Sequence, residues 1–163
     1  MTTIRDAEAR DIPAVTEIYN HAIATSTCTF HTEPRSAEYQ RAWFGEHDRR
    51  HPLVVADFDG EVAGWASLDR WSERPAYADT VELRVYVAEA RRGKGIGRQL
   101  VESVLLRARG AGIHAVISLI TAGNDASVRL HESLGFSHVG VIREVGRKFG
   151  RLLDVIVMEM ILG

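Results

Sequence analysis

The sequence predicts one α/β domain built around a mixed sheet. Strand and helix signals alternate along most of the chain, as they do in layered α/β folds. Two pairs of strands follow one another with no helix between them, one around Asp59-Gly60 and one around Gly146–Gly150, and such pairs are antiparallel. A length of 163 residues gives one domain with a real core and falls short of two, so residues 1–163 are read as a single unit.

Thr3–Asp6 reads as a short strand. Asp11 is placed as the cap of a helix, with Pro13 in its first turn and Ile12, Val15, Ile18, Tyr19 and Ala22 at helical spacing. Ser36 opens a second helix that runs to about Asp48. Leu53–Phe58 and Val62–Leu68 form strands joined at Asp59-Gly60. Val81–Val87 alternates with period two: Val81 and Leu83 point one way, Glu82 and Arg84 the other. A glycine-rich segment then opens a helix over about Gly97–Ala111, with Leu100, Val101, Val104 and Leu105 on one face. Ala115–Thr121 is a buried type of strand. Asn124 or Asp125 caps a helix that ends before Gly135. Strands at about Ser137–Val145 and Leu152–Leu162 close the chain.

Apolar residues make up 45% and charged residues 26%, the balance of a soluble globular protein. No apolar run approaches the roughly 18–20 residues of a membrane span. The N-terminal stretch lacks the apolar core of a signal peptide, so the expected location is the cytoplasm. A single cysteine, Cys28, excludes an internal disulfide or a multi-cysteine zinc site. With 20 basic against 22 acidic residues, no broad footprint for nucleic acid exists. Basic residues do gather at Arg91-Arg92-Gly93-Lys94 and at Arg147, Lys148 and Arg151, an arrangement suited to a small polyanion.

Arg92-Gly93-Lys94-Gly95-Ile96-Gly97 lies between a strand and a helix. Glycines let the backbone turn tightly and approach a ligand closely. Free N–H groups with a helix dipole behind them make an anion site, for which a pyrophosphate is the natural occupant. The Walker loop does not fit, because Lys94 is followed by Gly95 rather than Ser or Thr. The dinucleotide fingerprint does not fit either, because Arg98 stands where its last glycine would be.

Arg92-x-x-Gly95-x-Gly97 matches the Q/R-x-x-G-x-G/A signature, and Asn124, Leu130 and Gly135-Phe136 follow in order. In these features the whole chain resembles the GNAT family of N-acetyltransferases. Ile18–Ala22 with Thr29-Phe30, Val81-Glu82 with Val85-Tyr86-Val87, Ser127–Glu132, and Val145–Gly150 through Asp154 narrow the likeness. Together they resemble the phosphinothricin and methionine sulfone/sulfoximine N-acetyltransferases. Two departures stand out: Leu83-Arg84, where relatives often carry small Ser or Thr, and Ser72, where some phosphinothricin enzymes carry a basic residue.

The resemblance implies the GNAT fold, a mixed, mostly antiparallel central sheet flanked by helices on both faces. It implies acetyl-CoA as co-substrate, without a metal. The glycine turn (Arg92, Gly93, Lys94, Gly95, Ile96, Gly97 and Arg98) would grip its pyrophosphate. Val85, Tyr86 and Val87 would pair with the pantetheine arm like an added strand, and Asn124 and Ser133 would complete the cofactor set. A homodimer with contacts from the C-terminal strands is implied as well, with neither nucleic acid nor membrane as a partner.

The reaction needs a base, because an amine is mostly protonated at neutral pH. Glu82 matches the position of the family's proposed base; by pattern alone it also fits a surface strand glutamate. His131 stands where many relatives place a tyrosine and would donate to the departing sulfur or relay a proton; it equally fits a half-buried helix histidine packed on Leu130 and Leu134. Backbone N–H groups of Val85–Val87 would hold the oxyanion. Arg74 would take the substrate's carboxylate or phosphinate, with Phe30, Pro75, Ala76 and Tyr77 around it and Glu82 facing the amine. Two other functions fit the same features: acetylation of a protein N-terminus or lysine, and non-catalytic binding of acyl-CoA by a sensor.

Other features read as structural. Cys28 has no Cys-His-Asn surroundings. His47 and His51 have zinc-like spacing without a third ligand, and read as a solvated helix end. Trp43 and Trp65 read as packing.

Overall fold

The computed structural model describes residues 1–163. In chain order the elements are β1 (Thr2–Asp6), α1 (Ile12–Thr25), α2 (Ala37–Gly45), β2 (Leu53–Phe58), β3 (Glu61–Arg70), β4 (Thr80–Val87), α3 (Ile96–Gly110), β5 (Ala115–Thr121), α4 (Asp125–Ser133), β6 (Ser137–Lys148) and β7 (Arg151–Ile161). Seven strands form one sheet in the order β1-β2-β3-β4-β5-β7-β6. Every pairing is antiparallel except β4 with β5.

Strand alternation sorts the core into two layers. Val54, Ala56, Ala66, Leu68, Val81 and Leu83 face α3, whose Leu100, Val101 and Val104 are fully buried. Burial of such a side chain stabilises by about 1.5–3 kcal/mol. Leu53, Val55 and Trp65 face the other way, onto Ile12, Val15, Tyr19 and Ile23 of α1, with Trp43 and Phe44 of α2 alongside. Helices therefore cover both faces. No helix is long and apolar enough to cross a membrane.

The caps explain several boundaries. The Ser36 side chain accepts from the Tyr39 N–H, and Asn124 accepts from the Ser127 N–H at the start of α4. Asp59 and Gly60, with φ of 51° and 91°, make the tight β2–β3 turn. Asp11 departs from expectation. It precedes α1, but its carboxylate turns back to Arg5, at 2.7 and 2.9 Å, and to the Glu8 N–H at 2.8 Å. That ion pair holds the Asp11 carboxyl below its usual range.

The last hairpin also differs. β6 continues through Lys148, and only Phe149 and Gly150 form the turn, both left-handed with φ of 51° and 72°. Positive φ at both central residues matches the strands' twist, so no five-residue loop is needed. α2 stops at Gly45, ahead of His47 and His51, whose side chains are covered and not a solvated helix end. His47 binds Asp69 at 2.7 Å and His51 binds Asp48 at 2.8 Å, so the two rings do not converge on a metal.

Candidate active site

β4 and β5 pair only at Thr80↔Ala115, Val81↔Val116 and Glu82↔Ile117. Beyond Glu82 the strands separate, leaving one side of β4 unpaired through Val87. A cavity of about 360 Å³ opens at the fork. Its walls include Glu82–Tyr86 from β4, Ser118–Thr121 from β5 and Cys28–His31 from the segment after α1. A second, larger groove of about 790 Å³ continues from Val85–Val87 to the glycine turn and the start of α4. Cys28, Val85, Tyr86, Asn124 and Ser127 border both.

The groove is built for an anion. Gly93 and Gly95 have φ of 75° and 79°, a left-handed conformation that glycine adopts without strain. The turn leaves the N–H groups from Gly93 through Arg98 without an acceptor in the protein. They sit at the N-terminus of α3, where the helix dipole adds positive potential. Arg91, Arg92, Gly93, Gly95, Ile96, Gly97 and Arg98 line the groove. Lys94 is exposed at the turn and does not line it. Ser133 also lies outside; its hydroxyl donates to the Leu130 carbonyl at 2.7 Å and accepts from Arg98 at 3.0 Å. Its position there is that of a support for Arg98.

In the cavity, Glu82 and Arg84 share one face of β4, as the alternation requires. Burial raises the Glu82 carboxyl above the usual carboxylate range; nearby Arg84 opposes this and Asp69 adds to it. A carboxylate raised in this way is a stronger base than an exposed one. Tyr19 meets Trp65 and Tyr86 edge to face, and Trp65 and Tyr86 lie tilted on each other, with ring centroids 5.0–5.9 Å apart; Tyr19 and Tyr86 also line the cavity. The Tyr19 hydroxyl meets Thr29 Oγ1 at 2.8 Å and also His31 Nδ1. The Lys148 ammonium donates to the Thr29 carbonyl at 2.8 Å and pins this segment. Phe30 lies against Gly146, so closely that a Cβ there would clash with its ring.

His131 is buried and both ring nitrogens are occupied. A carbonyl only accepts, so Nδ1–H donates to Ser127 O at 2.7 Å, and Nε2 accepts from the Ser118 hydroxyl at 2.8 Å. Burial lowers its proton affinity, against the Ser127 carbonyl. In this arrangement the ring proton on Nδ1 is taken by the Ser127 carbonyl, and Nε2 meets the cavity through the Ser118 hydroxyl, so a part in proton transfer would run through Ser118. His131→Ala should destabilise the fold by roughly 2–4 kcal/mol, since it opens a void and orphans two polar groups. His131 stabilises fully above the unfolded value of about 6.5 and progressively less as pH falls through its lower folded value. Melting curves across this range test both statements. An alanine variant as stable as its parent but slower in turnover would return His131 to proton transfer.

Arg74, Pro75, Ala76 and Tyr77 do not reach the cavity. They form an exposed single 3₁₀ turn ahead of β4, and none of them lines its wall. The cavity's lysine or arginine is Arg84 instead. Sequence reasoning left Tyr19, Thr29, His31, Arg84, Ser118 and Lys148 out of the site. For Arg84 the signal was present, in the period that puts it beside Glu82.

The acetyltransferase (GNAT) family model matches residues 15–136. An L-methionine sulfoximine/L-methionine sulfone acetyltransferase of Pseudomonas paraeruginosa is 41% identical over 160 residues, spanning 97% of this chain and 93% of that protein. A phosphinothricin N-acetyltransferase of Streptomyces coelicolor is 39% identical over 156 residues, spanning 93% of this chain and 91% of that protein. A solved acetyltransferase from Salmonella typhimurium, with its cofactor acetyl-CoA, superimposes with a TM-score of 0.97 at 37% identity, covering 100% of this chain and 95% of that one. Fold, glycine turn and these likenesses converge: the chain belongs to the GNAT family of acetyltransferases.

Proposed function

We propose that the protein transfers the acetyl group of acetyl-CoA to the α-amine of a small amino acid or analogue, of the kind represented by phosphinothricin, methionine sulfone and methionine sulfoximine. The supporting observation is the joined pair of cavities at the fork of β4 and β5. One presents unsatisfied N–H groups to a pyrophosphate, and the other holds a half-buried carboxylate.

Acetyl-CoA would lie with its pyrophosphate on the Gly93–Arg98 turn and its pantetheine arm along the unpaired side of β4, near Asn124. Its thioester would then stand beside Glu82. Glu82 takes a proton from the ammonium, and the freed nitrogen attacks the thioester carbon. The oxyanion that forms is held by backbone N–H of Val85–Val87. Collapse breaks the C–S bond, and the second proton of the former amine passes to the departing thiolate, giving the amide and the free thiol; no strong acid is needed because thiols ionise at about pH 8.5. A cavity of about 360 Å³ accommodates an amino-acid side chain and favours a small substrate over a protein segment.

The apolar side chains exposed on the last hairpin, among them Val139, Val141, Val145, Phe149 and Leu152, support pairing with a second copy. Light scattering would read twice the chain's mass.

Thiol release from acetyl-CoA tests the reading, with methionine sulfone, methionine sulfoximine, phosphinothricin, the common amino acids and an N-terminal peptide offered separately. Turnover on a small α-amino acid supports it. Turnover on the peptide alone would move the function to protein acetylation, and binding of acetyl-CoA without turnover would move it to sensing.

A further inference from the structure

We propose that Arg84 is the specificity-determining residue of the amine site: its guanidinium takes the α-carboxylate of the substrate while Glu82 faces the α-amine. This rests on the amino-acid acetylation reading above and names the group that enforces it.

The geometry comes first. Arg84 and Glu82 project from the same face of β4, and Arg84 Nε lies 3.8 Å from Glu82 Oε2. The other close contact, with Asp69 Oδ2 at 3.2 Å, is also through Nε. Neither Nη1 nor Nη2 donates to any protein acceptor, although the side chain is only 33% exposed. A guanidinium carries its donors in a planar fork that fits a carboxylate. Here the far edge of that fork has no protein acceptor, and it belongs to a residue that lines the cavity and a small adjoining pocket beside Tyr19 and His31.

Asp69 does not use up the arginine. It already accepts from His47 Nε2, at 2.7 Å, and from the Ser67 hydroxyl, at 3.2 Å. The nearby alternatives for an anion are weaker. Lys148 is 4% exposed and bound to the Thr29 carbonyl, and Arg74 is on the exposed turn outside the cavity.

Spacing then selects the substrate. In an α-amino acid the nitrogen and the carboxylate carbon are two bonds apart, about 2.5 Å. A vicinal amine and carboxylate can therefore bridge neighbouring Glu82 and Arg84. A lysine side chain or a peptide N-terminus places no carboxylate there, and would leave the Nη donors of a half-buried guanidinium without an acceptor.

The test compares three acceptors: methionine sulfone, its neutral carboxamide, and the amine that lacks the carboxyl group altogether. Each is offered to the parent enzyme, to Arg84→Met and to Arg84→Lys, with acetyl-CoA affinity measured as a check on the fold. The parent should favour the acid over both analogues by roughly 10²–10³-fold in kcat/KM. Arg84→Met should lose that preference, mainly through KM for the acid, with acetyl-CoA affinity unchanged. Arg84→Lys should keep part of it, and this variant together with the parent's own preference decides the matter if the methionine variant does not fold. If the parent acetylates acid, carboxamide and amine alike, Arg84 is no anchor, though acetyl transfer stands. If Arg84→Met slows all three acceptors equally, Arg84 acts only on Glu82 or on the fold, and the proposal fails. If the parent acetylates none of the three while binding acetyl-CoA, the functional reading fails and takes this inference with it.

Discussion

Glu82→Gln lowers kcat by roughly 10²–10⁴-fold at neutral pH, with KM for acetyl-CoA nearly unchanged. The substitution keeps size and hydrogen-bonding shape and removes only the ability to accept a proton. Glu82 is suited to the task because burial raises its carboxyl above the usual range, partly offset by Arg84. In the parent, kcat/KM should therefore rise with pH along an acid limb set by this raised value, not by an ordinary exposed carboxylate. In the glutamine variant that limb disappears, and the rate follows the fraction of free amine. The deficit should then narrow as pH rises toward the amine's own ionisation. Removing Arg84 takes away the one nearby charge that lowers Glu82, so Arg84→Met should move the parent's acid limb to higher pH. A glutamine variant with unchanged kcat would end the base assignment. A deficit that stays constant with pH would point to positioning by Glu82 rather than proton transfer.

How much of this site is legible in the sequence depends on how local each part is. The glycine turn is legible because its conformation is dictated by residues adjacent in the chain: only glycine takes φ of 75° and 79° freely at Gly93 and Gly95. Glu82 and its face of β4 are legible from period two. The surroundings that tune Glu82 are not. Asp69 comes from β3, paired across the sheet with Glu82 itself, and it is held in turn by His47 from beyond α2. Tyr19, Thr29, His31 and Lys148 come together from three separated segments. No spacing rule joins them, because the packing of α1, the segment after it and β6, and not chain order, makes them neighbours. The same reason explains Arg74. Closeness in sequence to the β4 strand suggested closeness to the cavity, but the 3₁₀ turn that carries it is exposed. His131 shows the converse. Its helical position was legible, and the Ser127 carbonyl one turn back sets its tautomer, but its burial and the Ser118 hydroxyl of β5 on its other nitrogen are not legible from spacing.

The largest effect on the cofactor side is expected at Gly95. The residue caps α3 in the left-handed region, at φ 79°, with no atom within 4 Å of where a Cβ would stand. A substitution there is opposed by backbone strain rather than by a clash. For a β-branched residue this strain is about 1–3 kcal/mol. The turn can escape it only by moving to negative φ, which re-aims the N–H groups of Gly95, Ile96 and Gly97. Gly95→Val should therefore raise KM for acetyl-CoA by roughly 10–10²-fold and leave kcat at saturating cofactor close to the parent's. An acetyl donor truncated to acetyl-pantetheine separates the turn from everything else. It has no pyrophosphate, so the parent should use it poorly and the variant no worse than the parent. Loss of the same factor on both donors would mean that the substitution damages the helix or the fork. An acetyl-CoA KM equal to the parent's would remove the pyrophosphate from this turn altogether.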